Sequence, residues 1–210
     1  MGTLKHKIYI NANKGLTGLV VLGLIAAYNE WDNTVAWIYL ALHGTYGALW
    51  LMKDHFFPDA SWERPVSAWV GLGTFSGLAL YWITPWLIVS GNANPVDPWF
   101  IGLCIIIFTV GVFFHFVSDM QKHMSMGLRR GTLITEGLWG IVRNPNYFGE
   151  FLIYLGFSLL AASWIPLVVL ALFIATIWVP NMRRKDASLS RYPEFAAYKA
   201  RTKLLIPYVW

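Results

Sequence analysis

GLWGIVRNPNYFGE, residues 137–150, stands between a basic, polar segment and a long apolar run. Arg143, Asn144, Asn146, Tyr147 and Glu150 crowd the last part of it. Pro145 falls where a helix would begin, and proline is best tolerated in the first turn, where no backbone N–H is needed. A helix starting there puts Asn146 and Glu150 four residues apart on one face. An amide and a carboxylate at the mouth of a membrane helix are costly unless they have a task. A helix cap with an interfacial tyrosine is the plainer reading of the same residues.

Composition says that the apolar run lies in a membrane. The chain has 210 residues, 57% hydrophobic and 13% charged, against roughly 25% charged in an average soluble domain. Its length suits a single membrane-embedded domain, 1–210, of several spans. Apolar runs cover about Gly15–Tyr28, Thr34–Met52, Ser67–Ser90, Asp97–Val117, Tyr147–Ala162 and Trp164–Val179. The first is short for a span of ~20 residues. The last two are joined by a tight turn at Ala162-Ser163-Trp164-Ile165-Pro166.

Charge then orients the spans. With the N-terminus in the cytoplasm, Lys5, Lys7 and Lys14 lie inside, as do Lys53 and Arg64 of the first inner loop. Lys122, Arg129, Arg130 and Arg143 lie in the second inner loop. Arg183, Arg184, Lys185, Arg191, Lys199, Arg201 and Lys203 lie in the tail. These are all 16 lysines and arginines, and the outer loops hold only Glu30, Asp32 and Asp97. Positive residues favour cytoplasmic loops. The expected fold is therefore an all-α polytopic integral membrane helix bundle of about six transmembrane helices, with N-terminus and C-terminus cytoplasmic. A cytoplasmic cofactor loop is expected at 118–146 and a cytoplasmic C-terminal tail at 180–210. Topology accounts for the net charge of +5, and no nucleic acid is needed to explain it.

Smaller features follow. Twelve tryptophans and ten tyrosines suit interfacial belts. The opening MGTLKHKIYINANKG is too polar for a signal peptide, so the first span is expected to stay. Gly2 does not sit in an acylation motif, because residue 6 is His. The lone Cys104 forms no intrachain disulfide and reads as helix packing. Gly71, Gly73 and Gly77 lie within a span and follow no strand, so they are no dinucleotide fingerprint; Gly73 and Gly77 read as a close helix contact. Pro85 reads as a kink of the third span or, more plainly, as a tolerated membrane proline.

Three groups of residues carry candidate chemistry. In the second span His43, Tyr46 and Trp50 fall on one helical stripe, and Gly44 and Gly47 would let another helix or a flat ligand come close. A histidine at that depth needs a cavity or a partner; a mutually satisfied His–Tyr pair is the alternative. In the fourth span His115 and Asp119 are four apart, and an aspartate near a helix C-terminus is opposed by the dipole. Lys122 is its plain ion-pair partner. In the loop Met124–Arg143 the adjacent Arg129 and Arg130 are able to hold phosphates, or to anchor the chain on anionic lipid. The histidines lack metal spacing, so no metal is expected.

At RNPNYFGE the chain resembles the steroid 5α-reductase C-terminal family and its bacterial relatives. The resemblance covers about the last hundred residues: HFVSDM, LITEGLW, NPNYFGE and YPEFAAYKARTKLLIPYVW. Sterol reductases, isoprenylcysteine carboxyl methyltransferases and phospholipid methyltransferases share that architecture. The resemblance makes Asn146 and Glu150 nucleotide-cofactor contacts and matches Asp119 to a cofactor-binding aspartate; Tyr147 lies beside them, and His115 stands where the reductases carry asparagine. Arg183 matches a basic residue at the start of the family's tail, and Arg129, Arg130, Arg143 and Arg184 are the further candidates for the cofactor's phosphates. His43 falls near the reductases' histidine–tyrosine pair; Gly44 replaces the tyrosine, and Tyr46 stands one turn away.

The implied activity is an NADPH-dependent reductase, acting on an enone double bond of a steroid or other lipid-like small molecule, with Tyr46 or His43 polarising the carbonyl. The alternative is an S-adenosylmethionine-dependent methyltransferase of isoprenylcysteine or phospholipid type. Those methyltransferases usually carry His where this chain has Asn144, and glutamates where it has Lys185 and Asp186. A non-catalytic lipid-binding scaffold is a third reading. The expected location is a bacterial inner membrane, or the endoplasmic reticulum of a eukaryote.

Overall fold

The computed structural model describes residues 3–210, so Gly2 and its acylation reading lie outside the described residues. The apolar runs form helices α1 (His6–Ala27), α2 (Thr34–Phe56), α3 (Ala68–Val89) and α4 (Pro98–Leu128). After a short α5 (Leu138–Ile141) come α6 (Pro145–Leu159), α7 (Trp164–Leu189) and α8 (Phe195–Arg201). Helices α1, α2, α3, α4 and α7 are long and apolar enough to cross a bilayer. The sixth expected span, α6, has 15 residues, about 22 Å of helix at 1.5 Å per residue, against a hydrocarbon core of ~30 Å. The protein is an all-helical, polytopic membrane bundle. Its small sheet pairs β1 (Leu4–Lys5) antiparallel with β2 (Pro65–Val66).

The chain divides into two compact units: Met1–Ile106 with Leu155–Val169, and Ile107–Tyr154 with Leu170–Trp210. In the first, α1 begins at His6, well before the apolar run. The reason is an inward polar stripe. Asn13, Lys14 and Thr17 are buried together with Ile10, Val21 and Ile25. Asn13 Nδ2 donates to the Phe75 carbonyl at 3.3 Å. Trp82 Nε1 donates to Thr17 Oγ1 at 3.0 Å, and Trp50 Nε1 to Asn11 Oδ1 at 3.0 Å. The Lys14 ammonium lies 4.3 Å from the Tyr46 ring centroid and 5.1 Å from that of Trp50. Lipid offers no hydrogen bonds, so a helix carrying these groups must find their partners inside the protein.

Glycine sets the approach of α1 to α2. A Cβ at Gly47 would overlap the Lys14 carbonyl oxygen, and one at Gly44 would stand 3.7 Å from the Gly18 Cα. The close neighbour foreseen for Gly44 and Gly47 is thus a helix. On α3 it is Gly71 that is pressed, against the Tyr9 ring, whereas Gly73 faces open space. The contact expected at Gly73 is corrected to Gly71: Tyr9 of α1 needs a flat, side-chain-free spot, and Gly71 is the glycine that faces it.

Pro85 lies inside α3. Helix α3 tightens to a 3₁₀ turn at Leu80–Trp82. Proline has no N–H for the carbonyl four residues back, and the Tyr39 hydroxyl donates to that carbonyl, Tyr81 O, at 3.3 Å. At the unit's polar end Lys5 Nζ meets Glu63 at 2.7 Å, and Lys7 pairs with Glu63 as well. These two lysines hold the Glu63 carboxyl below the usual carboxylate range. The N-terminal segment and the loop before α3 therefore share one end, as the charge count requires.

In the second unit α4 stays helical to Leu128. The long loop read from Met124 is accordingly shorter, its first residues being a continuation of the helix. The tail likewise begins as helix, since α7 runs on to Leu189. The tail ends in α8, with Phe195 and Tyr198 buried.

The tightness at Gly47 is testable. Gly47→Ala should lower stability by about 1–3 kcal/mol, the usual cost of overpacking. Gly73→Ala should be neutral or mildly stabilising, since alanine is the better helix former. Thermal unfolding in detergent compares them, and equal losses would refute the close crossing.

Candidate functional site

Helices α4 and α6 meet at two glycines. A Cβ on Gly149 would overlap the backbone nitrogen of His115 and stand 2.7 Å from the Gly111 carbonyl oxygen. A Cβ on Gly111 would stand 2.7 Å from the Ile153 nitrogen. Small residues let membrane helices approach backbone to backbone. Here the approach brings His115, one turn beyond Gly111, against the first turn of α6. His115 is buried, and its Nδ1 donates to the Asn146 carbonyl at 3.0 Å. A carbonyl only accepts, so the proton sits on Nδ1.

Asn146 supplies the most informative atom. Its Oδ1 is buried and accepts no hydrogen bond from any described residue. An unsatisfied buried acceptor costs on the order of 1–3 kcal/mol. Asp119, buried, stands one turn beyond His115 on the same face of α4. Glu150 stands one turn beyond Asn146 and is half-buried. Tyr147 packs against Trp178 at 5.7 Å between ring centroids. Trp178 lies in a π-helical stretch of α7, Ile174–Trp178, a local widening frequent at functional sites. The His115, Asn146 and Tyr147 positions foreseen from sequence are thus brought together.

The arginines have more varied fates. Arg143 is buried, with Nε 3.2 Å from Asp186 Oδ2. Its Nη1 donates to the Lys199 carbonyl at 3.2 Å and also to the Thr202 carbonyl. Its neighbour Asn144 is wholly buried; Asn144 Nδ2 donates to the Leu204 carbonyl and Lys185 Nζ to Asn144 Oδ1, both at 2.9 Å. Lys185 also lies 4.1 Å from the Trp139 ring centroid. Arg129 pairs with Glu136, and together with the Thr135 N–H it holds that carboxyl below the usual range. Arg130 and Arg183 are exposed. Arg184, also exposed, donates to Asn181 Oδ1 at 2.6 Å.

His43 and Tyr46 belong to the first unit and are both buried, at 3% and 0% exposure. His43 lies in a second π-helical stretch, Leu40–Gly44. Its Nδ1 is 2.7 Å from the Tyr39 hydroxyl, and its ring stacks on Phe157 at 4.2 Å. The Tyr39 hydroxyl thus lies between His43 Nδ1 and the Tyr81 carbonyl. Sequence reasoning missed Tyr39. The signals were present: Tyr39 precedes His43 by four residues, and Pro85 follows Tyr81 by four. Lys14 was missed too, having been counted as a topology charge. Among the described residues no group of three or more His, Cys, Asp or Glu is placed to hold a metal ion.

A polytopic helical membrane protein with a buried polar cluster where two helices cross is the class that fold and site define. The chain belongs to DUF1295, a family described as proteins of unknown function, whose model matches residues 61–202. That family lies in the steroid 5-alpha reductase-like superfamily. Two curated relatives are similar to it. The cobalt-zinc-cadmium resistance protein CzcN of Cupriavidus metallidurans is 35% identical over 82 residues, covering 39% of this chain and 38% of that protein. The nickel-cobalt-cadmium resistance protein NccN of Alcaligenes xylosoxydans xylosoxydans is 27% identical over 122 residues, 57% of each chain. The chain thus spans less than two thirds of the curated relatives it matches.

The tail's docking has a pH signature. Burial pushes the Tyr198 phenol up to about 12, and its hydroxyl donates to the Trp139 carbonyl at 2.7 Å. An undocked phenol ionises near 10. The folded-state pKa is raised, so this contribution is fully present below pH ~10 and is lost as pH rises toward about 12. Tyrosinate absorbance, compared between wild type and Tyr198→Phe, should show one group titrating near 12; a group titrating near 10 would refute the docked phenol.

Proposed function

We propose that this protein is a membrane enzyme that binds NADPH at the α4–α6 crossing and reduces an activated double bond of a lipid-like small molecule. The observation that carries this reading is the buried, unsatisfied Asn146 Oδ1. The atom is an acceptor, so its partner must bring an N–H or O–H. A nicotinamide carboxamide has such a donor and fits the chemistry of the position. Asn146 would hold that amide, with Glu150 and Asp119 taking hydroxyl or amino donors of the nucleotide. His115 fixes the Asn146 backbone and so the direction of its side chain. Arg129, Arg130, Arg183 and Arg184, exposed side chains of the same unit, would meet phosphates.

When bound, NADPH supplies the hydride; the protein supplies position and polarity. In this reading Tyr46 or His43 polarises the substrate carbonyl, and the Tyr39 contact with His43 keeps that ring in one orientation. Such donors are worth several kcal/mol only when preorganised in a dry site, and both side chains are held in ring contacts within the bundle.

S-adenosylmethionine is the alternative, favoured by the same atom, because its ammonium group is also a donor. The residues at the methyltransferase positions speak for the first reading. Asn144 and Lys185 bond each other, and Asp186 pairs with Arg143, so all are engaged in holding the tail. The relatives' printed names concern resistance to metal ions. A lipid-modifying enzyme in the same membrane is compatible with such a role without binding the metal itself.

Asn146→Ala and Glu150→Gln should each weaken NADPH binding about tenfold or more, as expected for a lost charge-assisted or buried hydrogen bond. Their thermal unfolding without ligand should stay close to wild type. Titrating NADPH, NADH and S-adenosylmethionine against purified protein decides: unchanged affinity in both variants removes the site, and binding of S-adenosylmethionine alone makes the protein a methyltransferase.

A further inference from the structure

Arg143 stands three residues from Asn146, and its guanidinium is turned away from the exposed surface into a buried polar node. Val142 forms a parallel bridge with Lys203. The Arg143 N–H donates to the Lys203 carbonyl at 2.9 Å. The Arg143 side chain holds Asp186 and the carbonyls of Lys199 and Thr202. Asn144 holds the Leu204 carbonyl. Three consecutive residues, Val142 to Asn144, therefore grip tail residues 199–204 through a backbone bridge, two guanidinium–carbonyl bonds and a side-chain amide bond, and Asp186 of α7 adds an ion pair to Arg143. Pro145 follows at once and opens the helix that carries Asn146.

We infer that Arg143 is a positioning residue, which clamps tail segment 202–204 and thereby fixes the first turn of α6, and that cofactor binding and tail docking are coupled through it. The inference rests on the nucleotide-site reading above. Its physical basis is covalent proximity. Asn144 and Asn146 flank a proline whose φ is fixed, which leaves fewer torsions between them to absorb a shift of the clamped pair. A ligand that needs Asn146 in place is bound more tightly when the tail is docked. Reciprocally, the ligand must protect the tail, because coupling between two sites acts equally in both directions. The tail brings its own supports: Tyr198 to the Trp139 carbonyl, and Lys185 over the Trp139 ring.

Asp186→Asn separates this role from phosphate binding, because the two predict opposite signs. If Arg143 met the cofactor's phosphates, removing its competing carboxylate would leave NADPH affinity the same or tighter. A positioning Arg143 loses its anchor in Asp186→Asn, so affinity should fall about fivefold to tenfold. The tail, followed by hydrogen exchange of residues 195–204, should exchange faster in the variant, and more slowly in wild type when NADPH is added. Tyr198→Phe, which changes no charge and leaves Arg143 intact, should move both readouts in the same direction by less.

Each result decides. Weaker binding together with a looser tail supports the clamp, and Tyr198→Phe carries the test if Asp186→Asn does not fold. Unchanged or tighter binding by a variant whose tail is demonstrably looser overturns the inference and leaves the nucleotide reading standing. A wild type that binds neither NADPH nor S-adenosylmethionine removes the nucleotide reading and this inference with it.

Discussion

The backbone of α6 at Gly149 lies against the backbone of α4 at Gly111 and His115, with no side chain between. That contact conditions everything around the candidate site. In lipid there is no hydrophobic drive between helices, so association depends on close packing and on hydrogen bonds between them. The glycines supply the first. His115, delivered by the same approach to the Asn146 carbonyl, supplies the second. A larger residue at either glycine would separate the helices, and the buried polar groups facing them would lose each other.

The same constraint explains the first unit from the opposite side. There the polar groups come from α1, a helix that hydropathy alone would cut short. Asn11, Asn13, Lys14 and Thr17 have partners on α2 and α3. The carbonyl that Pro85 leaves open is filled by Tyr39. Each solution is local, and each uses a residue whose type was forced by what it faces. His43 shows the consequence: its bond to Tyr39 and its stacking on Phe157 hold it in one orientation, which a free histidine at that depth would lack.

The arginines show how charge counts mislead about roles. Arg129, Arg130, Arg143, Arg183 and Arg184 look alike in sequence, as positive residues beside a span. In the fold Arg143 is buried in a node that holds the tail, Arg129 is paired with Glu136, and Arg130 and Arg183 are exposed. Guanidinium geometry suits both phosphates and stacked backbone carbonyls, so sequence position cannot distinguish the two tasks. Asn144, Lys185 and Asp186 are a parallel case: they look like independent departures from a methyltransferase pattern, and they are partners of Arg143 and of each other.

By itself the sequence determined the class: an all-helical membrane protein, its helices lying where the apolar runs lie. Those properties follow from the length of apolar runs, from proline at a helix start and from three- and four-residue spacing, which are local. The tertiary structure decided what depends on a distant partner. It set the true start of α1 at His6, because buried partners satisfy the polar residues there. It stopped α6 at Leu159, too short for a full span. It moved the helix contact of α3 from Gly73 to Gly71, where a tyrosine ring lies. It gave Tyr39 and Arg143 their tasks, because a hydrogen bond to a residue 42 or 59 positions away leaves no trace in the neighbouring sequence.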